Sequence, residues 1–410
     1  MSKTVLIVAF DFPPSNSAAV QRTLKMADYL KDFGWQAVIL TAKENAYEAT
    51  EYSQKIPEHI KDHVYRTAAF DVHNHLSIKG KHFNWMKGID RWSTWIPGAM
   101  HCGQKLFKKY QFDAIVSTAP IPSAHIIASK LAAKSGIPWM ADYQDPMSYL
   151  YEPTRRLRKF CHKRIDLKVT SSASALVYAT KQAMTLYQNA FPDVKKSKFH
   201  FVENGFDESN FKQLEDYKPK TPSPFSDNKF SFYYSGVLYP NGRDPIPLFK
   251  AIAQLVKSHK LTLDSLEVIF QGSGSGEKFS HLLEELGIIS MIKFMPSVPY
   301  VDSLYNMLNA DALTLIQDKV FNLQVPGKLY EYIRTGKNIL AITPNDSATA
   351  EVANRAENSF IAKESDAIAN QIVKIMNNEK IVSTENVESF SRYSKTREFS
   401  QILNGITNEA

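Results

Sequence analysis

The sequence predicts an α/β protein made of two Rossmann-like, doubly wound parallel-sheet domains. Short apolar, β-branched runs alternate with amphipathic stretches along most of its 410 residues, the pattern of a parallel sheet covered by helices on both faces. The alternation breaks once, over residues 211–229, where Asp, Lys, Pro and Ser dominate, and then resumes. A composition of 44% hydrophobic and 22% charged residues, with 16 Gly and 20 Pro, excludes disordered, collagen-like and low-complexity chains and supplies apolar residues for two cores.

In the first half, Thr4–Phe10 reads as a buried strand because it is apolar and β-branched throughout. The loop Asp11–Ser17 leads to a helix with Val20, Leu24, Ala27 and Leu30 on one face, and Gly34 stops it. Strands are expected at Gln36–Thr41, Asp113–Ser117, Pro138–Asp142, Leu176–Tyr178 and Phe199–Glu203, with a helix over Ser123–Ser135 closed by Gly136. After the interruption, strands at Phe230–Tyr234, Leu266–Phe270, Ile292–Met295, Ala312–Ile316 and Asn338–Thr343 alternate with helices. Those helices are expected over Ile246–Val256, Lys278–Leu286, Ser303–Leu308 and Lys328–Thr335. The expected division is therefore a domain over 1–211, a linker over 212–229, a second domain over 230–387 and a helical segment over 388–410.

Two cysteines, Cys102 and Cys161, supply neither a disulfide framework nor a Cys-x-x-Cys zinc motif, which points to a reducing cytoplasm. No run of about 20 apolar residues offers a membrane span, and the apolar start is too short for a secretory signal. Membrane contact, if made, is expected from the surface. Forty-nine Lys and Arg against 42 Asp and Glu give a net charge of +7, which asks for an anionic partner. No nucleic-acid-binding motif accompanies that charge, so lipid or a phosphorylated substrate is the expected partner and nucleic acid is not.

Open parallel sheets bind ligands at the carboxyl ends of their strands, and two such ends in the second domain carry cations. In Tyr234–Pro245, Asp244 followed by Pro245 reads as a helix start, which places Arg243 beside the helix's positive end on a glycine-containing loop. In Val325–Glu331, Pro326 starts a second helix that Gly336 stops, and Lys328 and Glu331 share one face. Two helix amino termini with one Arg and one Lys suit a diphosphate without a metal. A carboxylate one turn along suits ribose hydroxyls. The competing reading is an ordinary solvated Arg and a surface Lys–Glu pair. The run Gly272–Gly276 lacks the Lys-Ser/Thr of a P-loop and decides nothing alone.

These features occur in a fixed order with other strings: Phe10-Asp-Phe-Pro-Pro14, Gln21-Arg22, Gly34-Trp35, Ser117–Ser123, Ile137–Pro146, Asn204-Gly-Phe-Asp207, Tyr234-Ser-Gly236, Val298-Pro-Tyr300, Pro326–Tyr332 and Gly336-Lys337. In that order they resemble the retaining GT-B glycosyltransferases of family 4, the nucleotide-sugar-dependent glycosyl transferase group 1, over nearly the whole chain. The resemblance implies two domains facing across a cleft, the first binding acceptor and the second binding donor, with the terminal helix returning to the first domain. It implies that Arg243 and Lys328 hold the donor diphosphate and Glu331 the ribose, with Gly236, Pro326 and Gly327 around them. Val298, Gly272 and Gly274 would contact the base through backbone. Asn16 and Ser17 would close over the donor, and Asp145 would lie near the transferred sugar as a catalytic group.

No metal and no cofactor are implied, since the nucleotide sugar, a UDP-sugar by preference, is a substrate. The acceptor implied is a saccharide or a polyprenyl-diphosphate-linked saccharide of surface polysaccharide or glycolipid biosynthesis, such as lipopolysaccharide or capsule. Two departures stand out. Leu323 occupies the place of the family's first glutamate, with Asn322 and Gln324 as neighbouring substitutes, and Ser15–Ala19 replaces a glycine pair. They keep open a catalytically silent nucleotide-sugar-binding protein, and a nucleotide-sugar epimerase shares the architecture.

The first domain holds all five tryptophans, Trp35, Trp85, Trp92, Trp95 and Trp139. Trp92 and Trp95, in a region that reads as irregular, are either a packed loop or an aromatic platform for an acceptor. Between Glu152 and Lys168, seven cations (Arg155, Arg156, Arg158, Lys159, Lys163, Arg164 and Lys168) face two acids, a net of +5. Leu157, Phe160, Cys161 and Ile165 interleave at helical spacing. The stretch is either a solvated helix face or a surface that docks on anionic lipid near a lipid-linked acceptor. His73 and His75 have the spacing of a metal pair on a strand, but a loop is the better reading. His125 either reaches the site or packs inside.

Overall fold

A computed structural model describes residues 2–52, 54–72, 89–147, 156–377 and 387–408. The chain divides into two compact units, Met1–Asn204 with Arg392–Ala410, and Gly205–Ser391.

The first unit runs β1 (Lys3–Ala9), α1 (Val20–Tyr29), β2 (Trp35–Ala42), α2 (Glu58–Lys61), β3 (Val64–Thr67), α3 (Trp95–Lys109) and β4 (Ala114–Thr118). It continues with α4 (Pro122–Ser135), β5 (Trp139–Tyr143), α5 (Arg156–Ser172), β6 (Ala175–Tyr178), α6 (Lys181–Ala190) and β7 (Phe199–Phe201). The seven strands lie in the order β3-β2-β1-β4-β5-β6-β7, and every pairing is parallel. Alternate residues of β1 feed opposite faces, as strand geometry requires. Leu6 and Val8 pack with Val38, Leu40, Leu131 and Trp139, whereas Val5 and Ile7 pack with Ala37, Ile39, Val116 and Met140.

The second unit begins with α7 (Glu208–Lys212), β8 (Phe230–Ser235), α8 (Ile246–Lys257), β9 (Leu266–Gln271), α9 (Glu277–Glu285), β10 (Ile292–Met295) and α10 (Tyr300–Asn309). Then come β11 (Ala312–Ile316), α11 (Gly327–Thr335), β12 (Asn338–Ile342), α12 (Ala348–Arg355), β13 (Ser359–Ala362) and α13 (Ser365–Met376). Its six strands, ordered β10-β9-β8-β11-β12-β13, are again all parallel. Each sheet therefore reverses its strand order once, between β1 and β4 and between β8 and β11. Loops leaving those strands diverge there and open a crevice.

The last helix, α14 (Arg392–Asn408), belongs to the first unit and not to the chain segment that precedes it. Phe399, Leu403 and Ile406 complete the core beneath α1. Lys3 Nζ reaches Asn404 Oδ1 at 3.2 Å and Thr407 Oγ1 at 2.9 Å.

The units divide at Asn204/Gly205 and Ser391/Arg392, not at the expected 211 and 387, and residues 212–229 are no free linker. Asp302 accepts hydrogen bonds from Tyr217 Oη at 2.5 Å, Lys220 N at 3.1 Å and Thr221 Oγ1 at 3.1 Å. Ser226 binds Glu267 through its N–H and hydroxyl, both at 2.8 Å. The polar composition that read as linker is the set of groups tying this segment down. The region taken as irregular around Trp95 is the start of α3.

Candidate functional site

At the carboxyl end of β8, in the crevice beside β11, Ser235 is held from three sides. Its N–H donates to Tyr332 Oη at 3.1 Å, its hydroxyl meets Ser303 Oγ at 2.7 Å, and its carbonyl accepts from Lys328 Nζ. Lys328 and Tyr332 lie one turn apart on α11, so a single helix face grips both sides of the strand's last residue. The Lys328 ammonium also lies 3.9 Å from the centre of the Tyr234 ring. Gly236 follows with φ +108°, and a Cβ there would sit 3.1 Å from Lys328 Nζ. Loss of hydration pushes the Lys328 pKa well below its ordinary value, Arg243 pushes the same way and Glu331 opposes both. A desolvated cation beside a second cation is poised to gain from an arriving anion.

Arg243 lies on the loop between β8 and α8. Its Nη1 donates to the Val237 carbonyl at 3.1 Å, and its guanidinium lies 4.6 Å from the Tyr239 ring and 5.9 Å from the Phe321 ring. Asp244 Oδ1 accepts from Ile246 N at 3.0 Å across Pro245, which takes the N-cap place of α8 that the sequence suggested for Asp244. Pro326 precedes α11 and Gly336 ends it in the left-handed conformation. The first-turn N–H groups of α11, beginning at Gly327, thus rise beside Lys328. One turn along, Glu331 Oε1 accepts from Tyr300 Oη at 2.6 Å, and Asn210 Nδ2 donates to the same phenol oxygen at 3.3 Å.

Gly272 follows β9 next to Gly236, and the Ser273 hydroxyl donates to Gly236 O at 2.7 Å. The Gly272 N–H is already committed to Met295 O at 2.9 Å, so its contribution is close approach and not donation. Gly274 stands in open space, and Val298 lies half-buried ahead of α10. The structure therefore brings Arg243, Lys328, Glu331, Gly236, Gly272, Val298, Pro326 and Gly327 to the carboxyl edge of one sheet.

In the first unit, Asn16 and Ser17 lie on a loop pinned to residues 49–51, with Asn16 N donating to Ala49 O at 3.3 Å and Glu51 N to Pro14 O at 2.7 Å. Asp145 is half-buried just past β5. Two expected acceptor contacts, Trp95 and His125, are corrected by burial. Trp95 is 0% exposed, with Nε1 donating to Thr67 Oγ1 at 2.8 Å. Trp92 packs 4.9 Å from Phe10, its Nε1 donating to Ala46 O at 3.1 Å. His125 is also 0% exposed, 2.7 Å from Ser117 Oγ, and burial drives its pKa down to about 3. Trp95 and His125 build the core and present no platform to a ligand, whereas Trp92 is half-buried and packs against that core.

The basic stretch forms α5, whose inner face is His162, Asp166, Val169 and Thr170. Asp166 accepts from the buried Tyr143 and Tyr187 hydroxyls, each at 3.0 Å. Arg158, Lys159, Lys163, Arg164 and Lys168 face outward, and so do Leu157 at 47%, Phe160 at 57% and Leu167 at 49% exposure. Arg155, the Arg156 side chain, Trp85, His73 and His75 lie outside the described residues.

Residues 218–397 match the family model of glycosyl transferases group 1. Over this part the chain is similar to that family. The fold of the whole chain is the GT-B fold of solved glycosyltransferases. The Anabaena protein Alr3699/HepE, solved with UDP, superposes with a TM-score of 0.66 at 13% identity, covering 98% of this chain and 100% of its own. A glycosyltransferase from Rickettsia africae gives 0.60 at 15% identity, with both chains fully covered. UDP-GlcNAc 2-epimerase from Methanocaldococcus jannaschii gives 0.54 at 12% identity, covering 98% and 99%. No curated protein matches the chain significantly.

Within this glycosyl transferase fold, sequence reasoning missed Ser235, Tyr332, Ser303 and the Tyr300 side chain. Each owes its place to a contact between segments 31 to 97 residues apart, which no local pattern announces. In the first unit it missed the crevice between β1 and β4, lined by Asp11, Thr23, Thr118 and Gln144. Burial raises the Asp11 pKa against the opposing hydrogen bond from Ser15.

Proposed function

We propose that this protein moves a sugar from a nucleotide-sugar donor, a UDP-sugar by preference, to a saccharide or polyprenyl-diphosphate-linked acceptor, with retention at the anomeric carbon and without a metal. The product on this reading is a surface polysaccharide or glycolipid, such as lipopolysaccharide or capsule. The observation that carries the reading is the Lys328 ammonium set on the Ser235 carbonyl at the β8–β11 crevice, beside the first turn of α11 and Arg243.

A leaving diphosphate gains negative charge as the sugar departs. Donors already fixed where that charge develops lower the barrier without reorganising. Lys328, Arg243 and the α11 amino terminus are such donors, and the depressed Lys328 pKa is the cost of holding the cation ready. Glu331, steadied by Tyr300, accepts hydrogen bonds from the ribose. With attack on the face the diphosphate leaves, the bond from the anomeric carbon to phosphate oxygen breaks as the bond to the acceptor oxygen forms. The acceptor's proton passes to the departing phosphate, and Asp145 offsets the positive charge that builds on the sugar.

Among the described residues no helix is long and apolar enough to cross a membrane. Cations interleaved with exposed Leu157, Phe160 and Leu167 on α5 support peripheral docking on the anionic inner face of the cytoplasmic membrane, where a lipid-linked acceptor would lie. The fold is common to a transferase and an epimerase, and the match of residues 218–397 favours transfer. Thermal shift against UDP-, GDP- and dTDP-sugars tests the donor class. At least one should raise the melting temperature as its concentration passes the dissociation constant; no rise with any of them contradicts the reading.

A further inference from the structure

We propose that α7 positions the Glu331 carboxylate: Glu208 withholds Arg334 from it, and Asn210 turns the Tyr300 phenol towards it. This rests on Glu331 accepting hydrogen bonds from the ribose of a nucleotide sugar. Glu331 and Arg334 are three apart on α11, hence neighbours on one face. With the acid nearer the amino end, such a pair is favoured on a helix. Once formed, it occupies the carboxylate that the ribose needs.

A second acid meets that arginine. Arg334 Nε donates to Glu208 Oε2 at 2.5 Å and Nη2 to Glu208 Oε1 at 2.6 Å, a two-pronged grip that suits the planar guanidinium. The guanidinium also lies 5.1 Å from the ring of Phe211, which packs in one core with Tyr330 and Ile333 of α11. The bond from Glu208 holds the arginine pKa above its ordinary value. Asp207 caps α7, its Oδ1 accepting from Ser209 N at 2.9 Å and Ser209 Oγ at 2.6 Å, so Glu208 and Asn210 project from a fixed turn. Two residues beyond Glu208, Asn210 Nδ2 donates to Tyr300 Oη at 3.3 Å. A phenol has one proton. With its oxygen accepting from Asn210, that proton is left for Glu331 Oε1 at 2.6 Å. One short helix therefore acts on both neighbours of the carboxylate: it takes the cation away and directs the phenol in.

Isothermal titration tests this with whichever of UDP, GDP and dTDP binds, against the same nucleotide lacking its ribose hydroxyls. The wild-type protein should prefer the hydroxylated form about tenfold or more. Glu208→Ala should shrink that preference about two- to fivefold, the range of an exposed ion pair, and leave the affinity for the form without hydroxyls unchanged. Adding Arg334→Met should restore the preference, because no cation remains to compete. Asn210→Ala should lower it in the wild-type background and not in Tyr300→Phe. A preference that Glu208→Ala leaves intact, or that Arg334→Met fails to restore, overturns the proposal. So does weaker binding of the form without hydroxyls in Glu208→Ala, which would make the contact merely structural, or an Asn210→Ala loss that persists in Tyr300→Phe. A wild-type protein indifferent to the hydroxyls sinks the ribose assignment of Glu331 and this proposal with it. No nucleotide binding at all sinks the underlying site.

Discussion

Ser235 shows how few atoms set this site. A hydroxyl, an N–H and a carbonyl on one residue fix Ser303, Tyr332 and Lys328, and Lys328 in turn needs the missing Cβ of Gly236. Glu331 depends likewise on Tyr300, whose phenol holds one carboxylate oxygen at 2.6 Å. Tyr300→Phe removes one charge-assisted hydrogen bond from an exposed position and should raise the donor KM about three- to tenfold with kcat nearly unchanged. Steady-state kinetics would show it, and a fall in kcat alone would place Tyr300 elsewhere. Arg243, Lys328 and Glu331 were legible in the sequence because Pro, Gly and charge together announce a helix amino terminus. Trp95 and His125 were ambiguous because an aromatic or a histidine looks the same in a string whether it faces solvent or core; only packing decides.

At the scale of elements, α5 differs from its neighbours in what it leaves outside. Its buried face carries Asp166 for two tyrosine hydroxyls, while Leu157, Phe160 and Leu167 face water among five cations. Arg164 lies 5.5 Å from the Phe160 ring. Vesicle co-sedimentation should therefore require anionic lipid and weaken with salt, and Phe160→Glu should reduce it several-fold. Sedimentation that ignores lipid charge would remove α5 as the docking element. The basic character of this helix was readable from composition, but its orientation was not, since helical spacing fits either face. The strands at both crevices were read closely because buried parallel strands are continuous apolar runs. Strand β3 (Val64–Thr67), only partly buried at the sheet edge, carries no such run and was missed.

At the scale of the whole molecule, two units share one chain that crosses between them twice, at Asn204/Gly205 and Ser391/Arg392. The segment that composition marked as a linker is anchored by Asp302 and Glu267, which carries a pH dependence. Burial opposes ionisation of both carboxyls. For Glu267 the bonds from Lys293 and Ser226 more than offset it, and for Asp302 those from Tyr217, Lys220 and Thr221 do, so both pKa values fall below their ordinary values. A carboxyl with a lowered folded pKa stabilises fully above its unfolded value and loses that contribution as pH falls through the folded one. Thermal melts should thus weaken below about pH 4, and Glu267→Gln or Asp302→Asn should flatten that limb; an unchanged limb in both would assign acid lability elsewhere.

The central claim, that Lys328 and Arg243 drive departure of a nucleoside diphosphate, is tested most directly by following diphosphate release from the bound nucleotide sugar, with and without acceptor. The wild-type protein should release it slowly alone and faster with acceptor, and Lys328→Met and Arg243→Ala should each fall by about 10²–10³ with the fold intact. Release at the wild-type rate in either folded variant would contradict the account.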